Sequence, residues 1–491
     1  MRLTSVTLNE FFELHRGTSI GFDDLVAFGS YETAIAGEQV SLETEVAPGF
    51  KLAFGILGSP MNDVTDAAMA IHLAKLGAIG VIHFGFLNQD DQIRAVEMVK
   101  RAQGKVIWEP ATLAPGASVG RLKELRKRYT NIPVTEDGTP RGKFLGCIDR
   151  HCVIQPTHEL VSQCVKGPCP TVGIEELRAK NGSADEEVDI DKAWGILQER
   201  SADALYLIDA RSGELRGLIT FKDLAGWFVD TASRAYRDRS HRLRVGAAIP
   251  RFPDAYRSDK GVKSHLEKLV EAGVDLIVID TSHGHDATVR EALRYVRQAY
   301  PVLPVIAGNV ADGVAAAKLA EWGAHAIRVG TGVGAACTTE DVTGTGGRGQ
   351  LSAIYECSRA VQGSETRTIA DGGISTGKHV HHALLSGASA VMLGSLLAAT
   401  DESPAREEGE FKIYRGMASA SAFAERGDLR YQTGIVAPEG DVRRLKNAGS
   451  VYHMLPTLMA GVRQGFKNHG VRNIQELWKA AEDGIIRVER K

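Results

Sequence analysis

LIVID (276–280), PVIAGN (304–309), AIRVG (326–330), TIADGG (368–373) and AVMLGS (390–395) repeat one grammar. Each is a short apolar run rich in Val, Ile or Leu that closes on a polar residue or glycine: Asp280, Asn309, Gly330, Asp371 with Gly372 and Gly373, and Gly394 with Ser395. Runs of this length and composition read as buried parallel strands. Between them lie helical stretches. VREALRYVRQAY (289–300) places Val289, Leu293, Val296 and Tyr300 at helical spacing, and ADGVAAAKLAEWGA (311–324) is alanine-rich and closes on Gly323. Strand ends recurring every ~21–41 residues are the mark of βα units, in an open sheet or a closed (β/α)8 (TIM) barrel. The barrel is favoured because polar or glycine residues end every strand, where barrel sites are built. The last two strand ends also resemble the phosphate-binding loops that follow a barrel's seventh and eighth strands. No GxGxxG opens a βα unit, so a dinucleotide-binding sheet has no specific support.

Working outward, KLAFGILGSPMNDVTDAAMAIHLAKLGAIGVIHFG (51–85) continues the grammar as strand, loop, helix and strand. Residues 107–235 break it with two copies of another pattern. Each copy has an amphipathic helix, a short strand (IPVTED, LYLIDA), a glycine-bearing turn and a second strand (FLGCID, LRGLITF). The reading is an α/β barrel from residues 1–106 and 236–491, with a tandem-repeat module at 107–235 inserted in a loop.

Composition excludes other classes. Of 491 residues, 53 are glycine, about 11 % against a typical ~7 %, but the surplus is aperiodic and there are only 16 prolines, which excludes collagen-like and low-complexity chains. A net charge of -3 from 58 basic and 61 acidic residues argues against non-specific nucleic-acid or membrane-surface binding. No apolar run reaches the ~18–20 residues of a spanning helix, and the start MRLTSVTLNEFFELHRG has no signal-peptide pattern. Six cysteines are too few for a disulfide scaffold. The expectation is a cytoplasmic protein in a reducing compartment, with unpaired cysteines.

The sharpest local feature is RVGTGVGAACTTEDVTGTGGRGQ (328–350). Glycines let a backbone approach a ligand closely, and a thiol presented at the catalytic end of a barrel is a plausible nucleophile. A lone cysteine is more often a small buried hydrophobe, so Cys337 is both a candidate nucleophile and a candidate core residue.

The loop GTGVGAACTT, with DTSHGH (280–285), VIAGNV (305–310), IADGG (369–373), MLGSLLA (392–398), YRGM (414–417), RYQTG (430–434), PEG (438–440) and SPMNDVTDAAMAIHLAKLGAIGVIH (59–83), resembles the inosine-monophosphate dehydrogenase family in the family's order. The 107–235 repeat resembles that family's inserted pair of cystathionine-β-synthase-type (CBS) modules. The resemblance implies that Cys337 attacks C2 of the hypoxanthine ring of inosine monophosphate (IMP) while hydride passes to NAD. Water activated by Arg430 and Tyr431, assisted by Thr339, would hydrolyse the adduct to xanthosine monophosphate, in guanine-nucleotide synthesis. Asp371 would bind the ribose; Gly372, Gly373, Gly394, Ser395 and Tyr414 the 5′-phosphate. Ser59, Met61, Gly416, Met417 and Glu439 would meet the nucleotide, Glu439 by accepting from N1–H. Asp280, Ser282, Asn309, Arg328, Gly330 and Gly332 would hold NAD, and carbonyls of Gly332, Gly334 and Cys337 a potassium ion. Thr220 and Asp223 would bind a regulatory purine nucleotide, whereas Asp149 and Cys152 stand at the equivalent places of the first repeat. A homotetramer pairing into octamers is also implied.

Some positions depart from the family: Asn62 and Ala418 replace an aspartate and a glycine, and Ala335 stands where a phosphate-binding serine is usual. The loop after Cys337 is one residue longer. Two rival readings follow. One is an NADPH-dependent guanosine-monophosphate (GMP) reductase that releases ammonia and needs no water-activating pair; the other is a non-catalytic purine-nucleotide sensor. Two further clusters read as structural: Cys147, Cys152, Cys164 and Cys169 at the edge of zinc spacing, and His379-Val380-His381-His382 as a solvated face on a helix opened by Ser375.

Overall fold

The computed structural model describes residues 5–29, 35–36, 39–102, 106–126, 129–148, 158–177, 188–221, 224, 237–238, 242–251, 261–422 and 437–491. The chain divides into two compact units: Met1–Lys100, Arg234–Tyr236 and Arg244–Lys491 in one, Arg101–Ser233 and Arg237–Leu243 in the other.

The first unit is a closed barrel of eight parallel strands, β1 (Ile56–Gly58), β2 (Ile79–Ile82), β3 (Gly246–Ile249), β4 (Leu276–Asp280), β5 (Val305–Val310), β6 (Ala326–Val329), β7 (Arg367–Asp371) and β8 (Ala390–Leu393). Sequential strands pair in order, and pairing of Leu393 with Gly58 returns β8 to β1. Five of these strands lie within one to two residues of the runs that open the sequence analysis. The outer helices are α1 (Ala67–Lys75), α2 (Gln89–Arg101), α3 (Val262–Glu271), α4 (Ala287–Ala299), α5 (Gly313–Glu321), α6 (Gln350–Ala360) and α7 (Gly377–Leu385), followed after β8 by α8 (Val451–Asn468) and α9 (Ile474–Glu482). Short polar side chains cap several of them. Asp66, Asp286 and Asp312 accept the Met69, Thr288 and Ala315 amides at 2.9, 2.8 and 2.9 Å, each meeting a donor the first turn leaves open. Thr376, not Ser375, caps α7 by accepting from the His379 amide.

Inside the barrel, Leu57, Ile79, Val81, Ala248, Val278, Ile306, Ile369 and Met392 form one buried cluster with Val46, Phe50 and Leu52 of the hairpin Thr44–Ala47/Phe50–Leu52. That hairpin caps the strands' amino ends, where the Thr44 hydroxyl donates to the Ser389 carbonyl at 2.8 Å. With this end plugged, the opposite end carries the loops that follow the strands.

The second unit holds the repeat. Helix Val119–Arg126 precedes strands Pro133–Thr135 and Phe144–Ile148; helix Ile190–Glu199 precedes Ala204–Ile208 and Leu215–Thr220. Phe144 and Tyr206, one from each copy, stack at 5.0 Å. The expectation of unpaired cysteines is corrected here: Cys147 and Cys169 form a disulfide with Cα atoms 6.1 Å apart. Cys147 pairs with Lys166 across neighbouring strands and Cys169 sits in the turn just after Lys166, a proximity that their spacing along the chain does not reveal. Among the described residues no group of three or more His, Cys, Asp or Glu could hold a metal ion, and Asp149, His151 and Cys152 lie outside those residues. No helix among the described residues is long and apolar enough to cross a membrane.

Candidate active site

The loops at the carboxyl ends of the strands enclose a cavity of about 180 Å³. It brings together Ser59 and Met61 after β1, Asp280 and Ser282 after β4, Asn309, Arg328, Gly330, Gly332, Gly334, Cys337 and Thr339, Asp371 to Gly373 after β7, Gly394 and Ser395 after β8, and Tyr414, Gly416, Met417 and Glu439. Every site residue expected from sequence in the barrel unit and described by the structure therefore lines one space. Arg430 and Tyr431 lie outside the described residues. In the second unit Thr220 ends its strand, and Asp223 lies outside the described residues.

The cysteine loop is held as part of a small irregular sheet. The Thr338 amide donates to the Glu439 carbonyl at 2.9 Å, the Asp441 amide to Ala336 at 3.0 Å, and the Glu439 amide to Ala418 at 3.0 Å. These bonds carry the YRGM and PEG segments to the thiol across long stretches of chain. Cys337 is partly exposed, and its Sγ lies 3.1 Å from the Thr339 hydroxyl. That hydroxyl donates to Glu439 Oε2 at 3.0 Å. Thiol, hydroxyl and carboxylate thus form a continuous line along which a proton can move. The Glu439 carboxylate belongs to this line, a contact that its place in the sequence does not disclose. Cys357, the other free thiol among the described residues, is buried against the Asp312 carbonyl, and burial pushes its pKa up; it is a packing residue.

At the floor lies a buried ion triad. Arg328 donates to Asp280 Oδ1 at 2.7 Å and to Asp371 Oδ2 at 2.8 and 3.2 Å. Burial works against its charge, but the Asp371 and Asp280 carboxylates outweigh that and raise its pKa. These bonds make Arg328 the group that orients the two carboxylates. Asn309 adds a bond from Nδ2 to Asp371 Oδ2 at 2.7 Å and another to the Gly330 carbonyl at 2.7 Å. Gly330 is required here: its φ is +139°, and a Cβ would fall 2.0 Å from the Asp371 carbonyl oxygen.

Two contributors escaped the sequence reading. Gln350 donates to the Val329 and Asp371 carbonyls at 2.8 and 2.9 Å, joining the ends of β6 and β7. Asp63 grips the Arg415 guanidinium at 2.9 and 2.8 Å beside Tyr414. Glutamine at a helix start and aspartate in a loop carry no motif; only the sequence distances they bridge reveal them. The Tyr414 hydroxyl donates to Met61 Sδ at 3.3 Å, and burial, followed by the nearby Asp371 and Asp63 charges, raises its pKa, so it is a neutral donor.

A second chamber of about 410 Å³ adjoins the first, sharing Ser282, Asn309, Thr331, Thr339 and Glu439 and continuing to His283, His285 and Asp312. Asn309 Oδ1, buried on the wall common to both, has no partner among the described residues. An unmet acceptor there fits a second ligand carrying hydrogen-bond donors.

Comparison with known proteins places this geometry. The family model described as "IMP dehydrogenase / GMP reductase domain" matches residues 19–488. Proteins named inosine-5′-monophosphate dehydrogenase from Chlorobaculum parvum and Bacillus subtilis are each 34 % identical to it, over 479 and 470 residues, covering 94 % of this chain and 92 % of theirs. A crystal structure of a GMP reductase from Trypanosoma brucei, in complex with guanosine 5′-monophosphate, aligns with TM-score 0.78 and 27 % identity over 96 % of this chain and 95 % of that one. With a family match spanning nearly its whole length, the chain belongs to the IMP dehydrogenase/GMP reductase family of oxidoreductases.

Proposed function

We propose that the protein oxidises IMP to xanthosine monophosphate with NAD as hydride acceptor. The observation that carries this reading is the line from Cys337 through Thr339 to Glu439 in the same cavity as Asp371 and the two glycine-lined turns. The Cys337 thiolate adds to C2 of the hypoxanthine ring, and the C2–H electron pair leaves as hydride. Asp280, Ser282 and the chamber beyond would hold NAD, which would supply the hydride acceptor. Water then attacks C2, the carbon–sulfur bond breaks, and the thiolate is regenerated. Thr339 and Glu439 take up the proton released from water, alongside Arg430 and Tyr431 as the activating pair. Asp371 holds the ribose hydroxyls, and the turns at Gly372–Gly373 and Gly394–Ser395 hold the phosphate. Ala335 lines the cavity without a hydroxyl, leaving these two turns and Tyr414 to carry that work. The carbonyls of Gly332, Gly334 and Cys337 suit a potassium ion, a hard monovalent cation, which would hold the cysteine loop in shape. The second unit would bind a purine nucleotide as a CBS-type regulatory module with Thr220 and Asp223, within a tetramer that pairs into octamers.

A second reading, GMP reduction with NADPH, is favoured by the 0.78 TM-score to a GMP reductase over almost the whole chain. The test follows the absorbance of reduced nicotinamide in two mixtures, IMP with NAD and GMP with NADPH. Turnover in the first alone supports the dehydrogenase; turnover in the second alone overturns it. Cys337→Ala should abolish turnover while leaving nucleotide binding intact, and unchanged turnover would move the protein to the class of nucleotide sensors.

A further inference from the structure

The histidine run on α7 does not face solvent: His379, His381 and His382 are 7, 6 and 5 % exposed. This corrects the expectation of a solvated face. Spacings of two and three around a helix send the rings to two different neighbours. His381 stacks on His469 at 5.0 Å and meets the edge of Phe466 at 5.6 Å, so it packs against α8 and the residue that ends it. His379 and His382 instead hold the N-terminal segment at residues 18–24. The Phe22 ring lies flat on the His379 imidazole (5.1 Å, 9°), and the Phe22 carbonyl is 3.2 Å from His382 Nδ1.

His379 also reaches back to the turn that follows β7. Its Nδ1 stands 3.2 Å from the Gly373 carbonyl, 3.2 Å from the Ser375 amide and 3.3 Å from the Ser375 hydroxyl. Protonated, Nδ1 donates to Gly373; unprotonated, it accepts from Ser375. Either tautomer ties this turn to the helix. Gly373 has φ +73°, a conformation only glycine adopts cheaply, and the Phe22 ring lies 3.6 Å from where its Cβ would stand. The turn therefore has an imidazole beside it and an aromatic lid behind it.

We infer that His379, stacked on Phe22, is a positioning residue for the 5′-phosphate of the substrate. It touches no substrate atom; it fixes the peptide groups of Gly373–Ser375 so that the turn is shaped for an anion before one arrives. This rests on the reading of that turn as the phosphate site.

The experiment measures kcat and KM for IMP, affinities for IMP and for inosine, and melting temperature in His379→Ala, His379→Asn, Phe22→Leu and Ser395→Ala. His379→Ala should raise KM about tenfold at nearly constant kcat, the pattern of lost ground-state and transition-state binding alike. IMP affinity should fall while inosine affinity holds. His379→Asn, whose amide can occupy the Nδ1 position, should restore most of the loss, and Phe22→Leu should show a smaller loss in the same direction. A lowered melting temperature with an unchanged ratio of IMP to inosine affinity in both His379→Ala and Phe22→Leu would overturn the inference. Ser395→Ala separates the two levels. If it weakens IMP relative to inosine while the His379 and Phe22 variants do not, only the positioning role fails; if none of them does, the phosphate reading fails with it.

Discussion

Replacing Arg328 with methionine tests the floor of the site. Arg328 is 6 % exposed, and its guanidinium makes three donor contacts to two carboxylates. Methionine fills much of the same volume but leaves Asp280 and Asp371 facing each other without a cation. Breaking a buried ion pair from one side costs about 3–5 kcal/mol, because the abandoned charge stays in a poorly solvating place. We expect about 4 kcal/mol here, against a total stability of about 5–15 kcal/mol for a typical protein. Arg328→Lys should recover only part, since an ammonium is a point charge that cannot span two carboxylates as a fork does. The assay is urea unfolding of the full chain in a cycle with Asp280→Asn. If the triad is coupled, the double variant Arg328→Met/Asp280→Asn should cost less than the sum of the singles by about 1–3 kcal/mol. IMP affinity should fall as well, because Asp371 loses its orienting partner. A loss under about 1 kcal/mol for Arg328→Met, with additive singles, would refute the argument that the carboxylates depend on this arginine.

Other expectations follow from burial and geometry. Burial lowers the pKa of His382 and His469 to about 4 and of His381 well below its ordinary value; the charges of His469 and His382 push His381 further down, and for His382 the Phe22 carbonyl pulls upward while the Lys378, His379 and His469 charges push down. Protons therefore bind the unfolded chain more readily, so stability is full above about pH 6.5 and falls as pH drops toward 4, by up to about 1.4 kcal/mol per histidine per pH unit. Urea midpoints at pH 7.5 and 5.5 check this, and His381→Phe should shrink the difference. Gly330→Ala should abolish soluble folding or cost more than about 3 kcal/mol, since a methyl would sit 2.0 Å from a carbonyl oxygen; wild-type expression and activity would contradict it. Removing the Cys147–Cys169 bridge, which closes a separation of 22 residues, should destabilise the second unit by about 3 kcal/mol, read as a lower urea unfolding midpoint of Cys147→Ser/Cys169→Ser than of the parent under non-reducing conditions; an unchanged midpoint would contradict it.

The barrel was legible because its strands are apolar runs with chemically distinct endings. One strand was not read: Gly246–Ile249 is Gly-Ala-Ala-Ile, short and small, with only one β-branched residue. Residues of the site were legible where they sit on motifs, and Cys337, Asp371 and Ser395 are examples. What joins them was hidden, because Thr339 bonds Glu439 across 100 positions and Arg328 bonds Asp371 across 43. The histidine run misled for a related reason. Polar side chains at mixed helical spacing read as solvated until the covering segments, one from each end of the chain, are in place.

The segment that covers α7 is synthesised long before the helices it meets. Ile20 donates its amide to the Ser352 hydroxyl at 3.0 Å and accepts from the Leu351 amide at 3.0 Å, a separation of about 330 residues. The loop closed by that contact costs entropy that is repaid only once the intervening barrel has packed. A growing chain cannot finish its site piecemeal: residues 18–24 must wait, unpartnered, until α6 and α7 have emerged. Fragments ending before that point should lack the latch, so the turn after β7 gains its Phe22 backing only once α7 has been made.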